Sequence, residues 1–431
     1  MNTQNAASGT MRSSLRHPEF RWLLAGLAVS QAGDWLYNLA LIALVYERTR
    51  SPLWAGITIA ARVAPVVVLG PFGGVIADRS DRRRVMVACD FTRLALMVLL
   101  ALVTMARLPV LVVPLIAAAA TTAATPYLPC VSATIPRLVP GSDLPGANAA
   151  RSAVTGAGVI VGPALGGVLL LLGSPALAFL VNAATFGLSA LAVLAIPAGD
   201  AFRPGQRHER PEGLLRGIAD GAAVLRALPQ ALQLVGADIM HSLVYGMQTV
   251  LLILVARQAG LGLHGYGYLF AGIGAGGLVG TALASRALRS SHPRAVLVAA
   301  LAAVGLPMPL LAVVHWPAAA IALVSMTGIG GILVEILTET GLQRMLPPEL
   351  FGRAYGLALP ASVGGIVVGS LVAPPLISVL GVAGALVACG ATVAGYAVLL
   401  LLRAPGGQPA SGRPEIAGPT VSEWLEAPAD A

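Results

Sequence analysis

The ionisable residues placed where they could do chemistry in this sequence are few, and they sit inside or at the ends of long apolar stretches. Asp34 and Arg62 lie in the first and second stretches, about eleven and about ten residues from the ends that one short loop joins; at about 1.5 Å per helical residue they reach nearly the same depth. A carboxylate and a guanidinium at one depth on neighbouring helices are expected to pair. Such a pair would either fix two helices or make the proton affinity of Asp34 depend on Arg62. Asp238 and His241 fall early in the seventh stretch. There an acid could line a cavity or bind a loop arginine, and a histidine could titrate near neutral pH or be hydrogen-bonded in a core. Glu335 and Glu339 are four apart, so they share one helix face and could form a proton site or a cation-binding patch; Glu339 is also near enough to its helix end to meet Arg344 or Arg353. Asp90 and Arg93, one turn apart, are expected to pair with each other or with the loop before them.

No catalytic constellation competes with these groups. The sequence has no phosphate-binding loop of the Walker type and no H-E-x-x-H, so neither an ATP-driven pump nor a zinc hydrolase is expected. Cys89, Cys130 and Cys389 are scattered in apolar surroundings without metal-ligand spacing. No metal, cofactor or enzymatic activity is expected.

The elements that hold these residues are set by composition. Of 431 residues, 57% are hydrophobic and 11% charged, against about 25% charged in soluble domains, and the mean hydropathy is +0.82. The expected class is an all-α polytopic membrane protein. With about 20 apolar residues needed per crossing, twelve transmembrane helices fit over residues 20–46, 52–77, 84–106, 109–131, 148–172, 175–197, 229–256, 265–287, 294–314, 317–341, 352–379 and 381–403.

All 27 basic residues are arginine. With both termini cytoplasmic, 21 fall in inner loops and tails and 4 outside (Arg48, Arg50, Arg107 and Arg257). That bias sets the orientation. It also explains the net charge of +8 without invoking nucleic acid. The expected division is a cytoplasmic tail over 1–19, a six-helix bundle over 20–197, a linker over 198–228 with an interfacial helix near 213–226, a second bundle over 229–403 and a disordered cytoplasmic tail over 404–431.

The halves repeat. Arg137-Leu138-Val139-Pro140 and Arg344-Met345-Leu346-Pro347 stand 207 positions apart, and Asp78 and Arg286, each ending a stretch, 208 apart. Gly73-Gly74-Val75-Ile76-Ala77-Asp78-Arg79-Ser80-Asp81-Arg82-Arg83-Arg84 resembles the loop between the second and third helices of major facilitator superfamily transporters, while the second copy carries Arg286 where the first has Asp78. The stretches from Ser30 to Trp35 and from Gly265 to Gly280 resemble the drug and siderophore exporters of that superfamily. Gly158, Gly162, Pro163, Gly166 and Gly167 resemble the fifth-helix motif of its proton-coupled antiporters.

The resemblance implies two pseudo-symmetric six-helix bundles around a central cavity, with an inner gate at Gly74, Asp78, Arg79, Asp81, Arg82 and Arg83, beside Asp90 and Arg93. It further implies efflux of small amphiphilic or cationic, drug-like compounds across the cytoplasmic membrane in exchange for protons, with Asp34, Arg62, Asp238 and Glu335 as coupling candidates. A dedicated metabolite or siderophore exporter, and a lipid flippase or sensor on the same fold, are the alternatives. A monomer in the bilayer, with substrate and protons as its partners, is expected.

Overall fold

The structure, a computed structural model, describes residues 11–172, 175–203, 222–223, 225–262, 265–346 and 348–402, without the side chains of 71, 159–172 and 348–353. Among the described residues the secondary structure is helical throughout. In order, α1 is Pro18–Thr49, α2 Pro52–Arg79, α3 Arg82–Met105, α4 Val112–Leu138, α5 Leu144–Leu172, α6 Pro175–Leu194, α7 Pro229–Gln258, α8 Gly265–Ala287, α9 Pro293–Leu311 and α10 Pro317–Met345. The last helical segment, Pro348–Leu402, breaks at Gly381, whose φ of 70° and ψ of 177° are non-helical. It gives α11 over 348–380 and α12 over 382–402. A side chain at Gly381 would be strained in that conformation.

Nine segments of the described residues are long and apolar enough to cross a membrane, and one of them, Ala354–Leu402, holds both α11 and α12. The helices α1 and α5, with 32 and 29 residues, also have the length, which brings the described helices of spanning length to twelve. Proline opens α1, α2, α7, α9 and α10, where its missing N–H has no partner to lose.

The fourth helix departs from expectation. It breaks at Thr125 and Pro126 and continues to Leu138, past the apolar run that ends near 131. Packing and capping rather than apolarity hold its last turns. Thr134 and Ile135 are buried, and the Arg137 guanidinium donates to the carbonyls of Asp200 and Arg203 at 3.0 and 2.9 Å.

The packing pattern repeats with a six-helix offset. The pairs α1–α5, α1–α6, α2–α4 and α3–α6 pack within the first half. In the second half α7 packs on α11 and α12, α8 on α10, and α9 on α12. Small residues allow this close approach. Gly276 and Gly328 seat α8 and α10 against each other's backbone, and Gly305 and Gly390 do the same for α9 and α12. Across the halves the main contacts are the symmetry-related pairs α2–α11 and α5–α8. Most of the interfacial helix expected near 213–226, and the tail over 404–431, lie outside the described residues.

At one end of the bundle a short helical turn, Met11–Ser14, precedes α1, and His17 Nε2 meets Asp143 Oδ2 at 3.0 Å. Hydrogen bonds from His17 and Ser13 hold the Asp143 carboxyl below its usual range. A carboxylate depressed in the folded state contributes stability above its unfolded value, and the contribution is lost as pH falls through the folded value. The tether is therefore expected to be intact at neutral pH and to release under acid conditions, below the ordinary aspartate range. Limited proteolysis of the N-terminal segment against pH checks this, and Asp143→Asn at neutral pH should reproduce the acid cleavage pattern.

Candidate functional site

The two halves close on each other at the end of the bundle remote from the α2–α3 loop. There α1 is buried almost continuously from Leu36 to Tyr46, and α7 likewise from Gly246 to Ala256. Gly56 on α2 lies so close to α11 that a Cβ would fall on the Ser370 carbonyl oxygen. The Arg257 guanidinium lies 5.0 Å from the centre of the Tyr46 ring and donates to its hydroxyl at 3.4 Å, linking α7 to α1. Arg48 in turn caps α3, donating to the carbonyls of Thr104 and Leu108, as a cation at a helix C-terminus should.

Beneath this closure lies a cavity between the halves, with about 430 Å³ of empty space, the opening at its mouth included. Trp35, Asn38 and Ile42 of α1 and Ile59 and Arg62 of α2 form one wall. Tyr245 and Thr249 of α7 face them, with Tyr266 and Phe270 of α8 and Ile366 of α11. The Tyr266 hydroxyl donates to the Thr249 carbonyl at 2.9 Å, and Phe270 packs on both tyrosines, 6.3 Å from Tyr245 and 4.8 Å from Tyr266. The aromatic wall is thus fixed by its own contacts. Arg62 is the one charged residue among the described lining residues.

The expected Asp34–Arg62 pair is not formed. Asp34 Oδ2 meets Arg93 Nη1 of α3 at 3.6 Å, and Arg93 Nη2 donates to Asp90 Oδ1 at 2.5 Å. Equal depth is not adjacency: α1 packs mainly on α5 and α6 and only lightly on α2, which leaves Asp34 facing the reach of a long side chain from α3. Arg93 is stacked between the rings of Phe186 and Tyr127, at 4.1 and 4.8 Å, an arrangement suited to a planar guanidinium. The side chain of Asp34 is 36% exposed, those of Arg93 and Asp90 6% and 0%. One cation therefore stands between two carboxylates, one partly exposed and one sealed.

The second half carries its acids nearer the loop end. Asp238 Oδ2 accepts from the Ser362 hydroxyl at 2.5 Å, not from a loop arginine, and His241 on the same helix covers Gly331 of α10. Glu335 and Glu339 are both exposed. Glu339 accepts from Gln343 at 3.4 Å, while Arg344 donates to the Leu288 carbonyl; the Arg353 side chain lies outside the described residues. The three cysteines are buried and free.

In the α2–α3 loop, Asp81 caps α3 by accepting from the Arg84 amide at 2.9 Å. Arg82 donates to the carbonyls of Ala77 and Ala133, and Arg83 to those of Val193 and Leu194 at the end of α6. These arginines thus bind carbonyl groups of their own half. Asp78 and Arg79 are exposed, and Gly74 has open space beside it. Gly158 of α5 packs on Gln31 of α1, whereas Gly162, Pro163, Gly166 and Gly167 lie in α5 beyond the described side chains.

Two pseudo-symmetric helical bundles around a cavity closed at one end define a membrane transporter of the major facilitator fold. The chain belongs, over residues 9–427, to the major facilitator family described as transmembrane secretion effectors. It is 27% identical over 379 residues to YfiS, an uncharacterised MFS-type transporter of Bacillus subtilis, covering 85% of this chain and 89% of that one. It is 28% identical over 381 residues to the multidrug efflux pump Tap of Mycobacterium tuberculosis, covering 86% and 90%. Among solved structures, a mutant of the nucleoside transporter NupG superposes with a TM-score of 0.73 at 13% identity, over 88% of this chain and 98% of that one, which is a likeness of fold.

The aromatic wall from Tyr245, Tyr266 and Phe270 was not legible in advance, because neutral rings inside apolar stretches read as core. Two signals were available: Tyr266 and Phe270 fall in the stretch from Gly265 to Gly280 that resembles exporters, and Trp35, Asn38 and Arg62 fall near one depth.

Proposed function

We propose that the chain exports small amphiphilic organic compounds from the cytoplasm by alternating access, driven by inward proton movement. The observation that carries this reading is the cluster of Asp34, Arg93 and Asp90, whose Asp34 adjoins in sequence the cavity-lining Trp35. With both acids ionised the cluster has a net negative charge inside the membrane-spanning region, and one proton makes it neutral. The second oxygen of Asp90 and Nε of Arg93 have no hydrogen-bond partner among the described residues, so the cluster is not saturated by its present contacts. Asp34 is the partly exposed member of the cluster and so the one open to a proton from outside it. The name of the relative Tap supports efflux.

Taking the arginine bias as the signal of orientation, we read the α2–α3 loop as cytoplasmic and the present conformation as inward-facing. In this reading the loop is the open half of a gate. Arg82 and Arg83 are parked on carbonyl groups, and the exposed Asp78 and Arg79 are free to meet the second half when the cytoplasmic side closes. Asp238 and Glu335, nearer the loop end of the second half, are the second coupling candidates.

Inverted membrane vesicles carrying an imposed pH gradient test the coupling, with uptake of amphiphilic dyes as the readout. The wild type is expected to accumulate dye when the lumen is acid, and Asp34→Asn to lose gradient-driven accumulation while remaining folded. Undiminished accumulation by Asp34→Asn would remove Asp34 from the coupling.

A further inference from the structure

We infer that Arg62 is an anion-recognition site and that the cavity takes organic anions, a carboxylate head on Arg62 and a flat apolar body against the aromatic wall. The inference deepens the export reading above and rests on it for the word substrate. A guanidinium within the membrane-spanning region is costly without a counter-charge, and such groups are paired or serve a ligand. Arg62 makes no hydrogen bond and no salt bridge among the described residues. Asp34 is close enough for Arg62 to act on its charge, but its described ion pair is with Arg93 at 3.6 Å.

The other acids on which a preference for cations could rest are also placed elsewhere. Asp238 accepts from Ser362, Glu335 is exposed toward the loop end, and neither lines this cavity.

The rest of the lining fits the body of such a ligand. Tyr245, Tyr266 and Phe270 are held in place by one another and by the Thr249 carbonyl. A wall so fixed loses little conformational freedom on binding. Trp35 stands on the facing side, so a planar apolar group can lie between rings. At the same level Asn38 presents a buried Oδ1 without a partner, which can accept from an N–H of the ligand. A guanidinium fork binds a carboxylate through two parallel charge-assisted hydrogen bonds, and this geometry discriminates a carboxylate from an amide or amine of the same size.

The test uses three probes with one ring system, naphthylacetate, naphthylacetamide and naphthylethylamine, and reads binding by thermal shift of the purified full chain in detergent. The wild type is expected to be stabilised by the acid in preference to the amide and the amine. Arg62→Gln should bind the acid about ten- to a hundredfold more weakly, the loss expected for hydrogen bonds to a charged group. The unliganded melting temperature reports whether the variant folds. Arg62→Lys keeps the charge without the fork and should retain a weakened preference for the acid.

Equal or stronger binding of the amide or amine, no stabilisation of the wild type by the acid, or an acid preference that survives in folded Arg62→Gln would overturn the inference. An equal loss of all three probes would make Arg62 structural and overturn it too. The proton-driven vesicle assay separates the two readings. If cationic dye moves at wild-type rate in Arg62→Gln while the probes show no acid preference, export stands and the anion site falls. If the acid binds through Arg62 while no compound is transported, it is the export reading that fails.

Discussion

Replacing Arg93 with methionine is expected to destabilise the protein by about 3–5 kcal/mol, because it leaves the buried carboxylate of Asp90 without its cation. Asp90 is fully buried and its only described ion pair is with Arg93, whose guanidinium also holds Asp34. Methionine matches much of the side-chain volume between Phe186 and Tyr127, so the loss reports charge more than shape. Two controls separate the contributions. Arg93→Lys keeps the charge but gives up the planar stacking on Phe186 and the fork that reaches both acids, and should fall between wild type and Arg93→Met. Adding Asp90→Asn to Arg93→Met removes the stranded charge and should recover part of the loss. A double-mutant cycle on the unfolding midpoint then gives the coupling between the two residues. If Arg93→Met unfolds like the wild type, the cluster is not an electrostatic unit and the coupling reading loses its support.

What the sequence revealed of this cluster, and what it hid, follows from one physical fact. Depth along a helix can be counted from residue number, but the direction in which a side chain points across a bundle cannot. Asp34, Asp90 and Arg93 were all recognisable as charges inside apolar stretches, and the one-turn spacing of Asp90 and Arg93 made their pairing one of two expectations, the other being the loop before them. The partner of Asp34 does not: Arg62 matches its depth, yet Arg93 has the approach, because α1 packs on α5 and α6 rather than flat along α2. The helix boundaries fail in the same way. The apolar run of the fourth helix ends near 131, but the burial of Thr134 and the hydrogen bonds from Arg137 to Asp200 and Arg203 carry the helix to Leu138. The doubling of the fold was legible, since the offsets of 207 and 208 residues between loop motifs correspond to the repeated packing of α2–α4 as α8–α10 and of α3–α6 as α9–α12. The cavity was not, because it is made by bringing α1 and α2 against α7, α8 and α11, and no local pattern encodes that meeting.

The closure above the cavity gives the second large expected effect. At Gly56 α2 and α11 touch closely across the halves, and a Cβ there meets the Ser370 carbonyl oxygen and the Pro374 ring. Backbone on one side and a proline ring on the other leave no flexible group to yield. Gly56→Leu should therefore wedge the remote end apart and disfavour the present conformation, and transport should be largely lost because a cycle needs both end states. The helix itself should tolerate the change, since leucine is the better helix former by about 0.8 kcal/mol. Unfolding by heat is thus expected to be affected less than transport.

Spin labels at Glu47 and Trp316, both exposed near the remote end of α1 and α10, report the state directly. In the wild type the distance distribution should contain the short separation of the closed end, and in Gly56→Leu it should shift to the longer one. Arg257→Ala, which removes the cation from Tyr46, should shift the same populations in the same direction but by less. A cation–π contact amounts to about 0.5–2 kcal/mol, whereas a side chain forced into backbone has no alternative placement at that helix spacing. If Gly56→Leu leaves the distances unchanged, α2 and α11 can part without opening the remote end. The closure would then rest on α1 and α7 through Tyr46 and Arg257, and Arg257→Ala would become the larger perturbation.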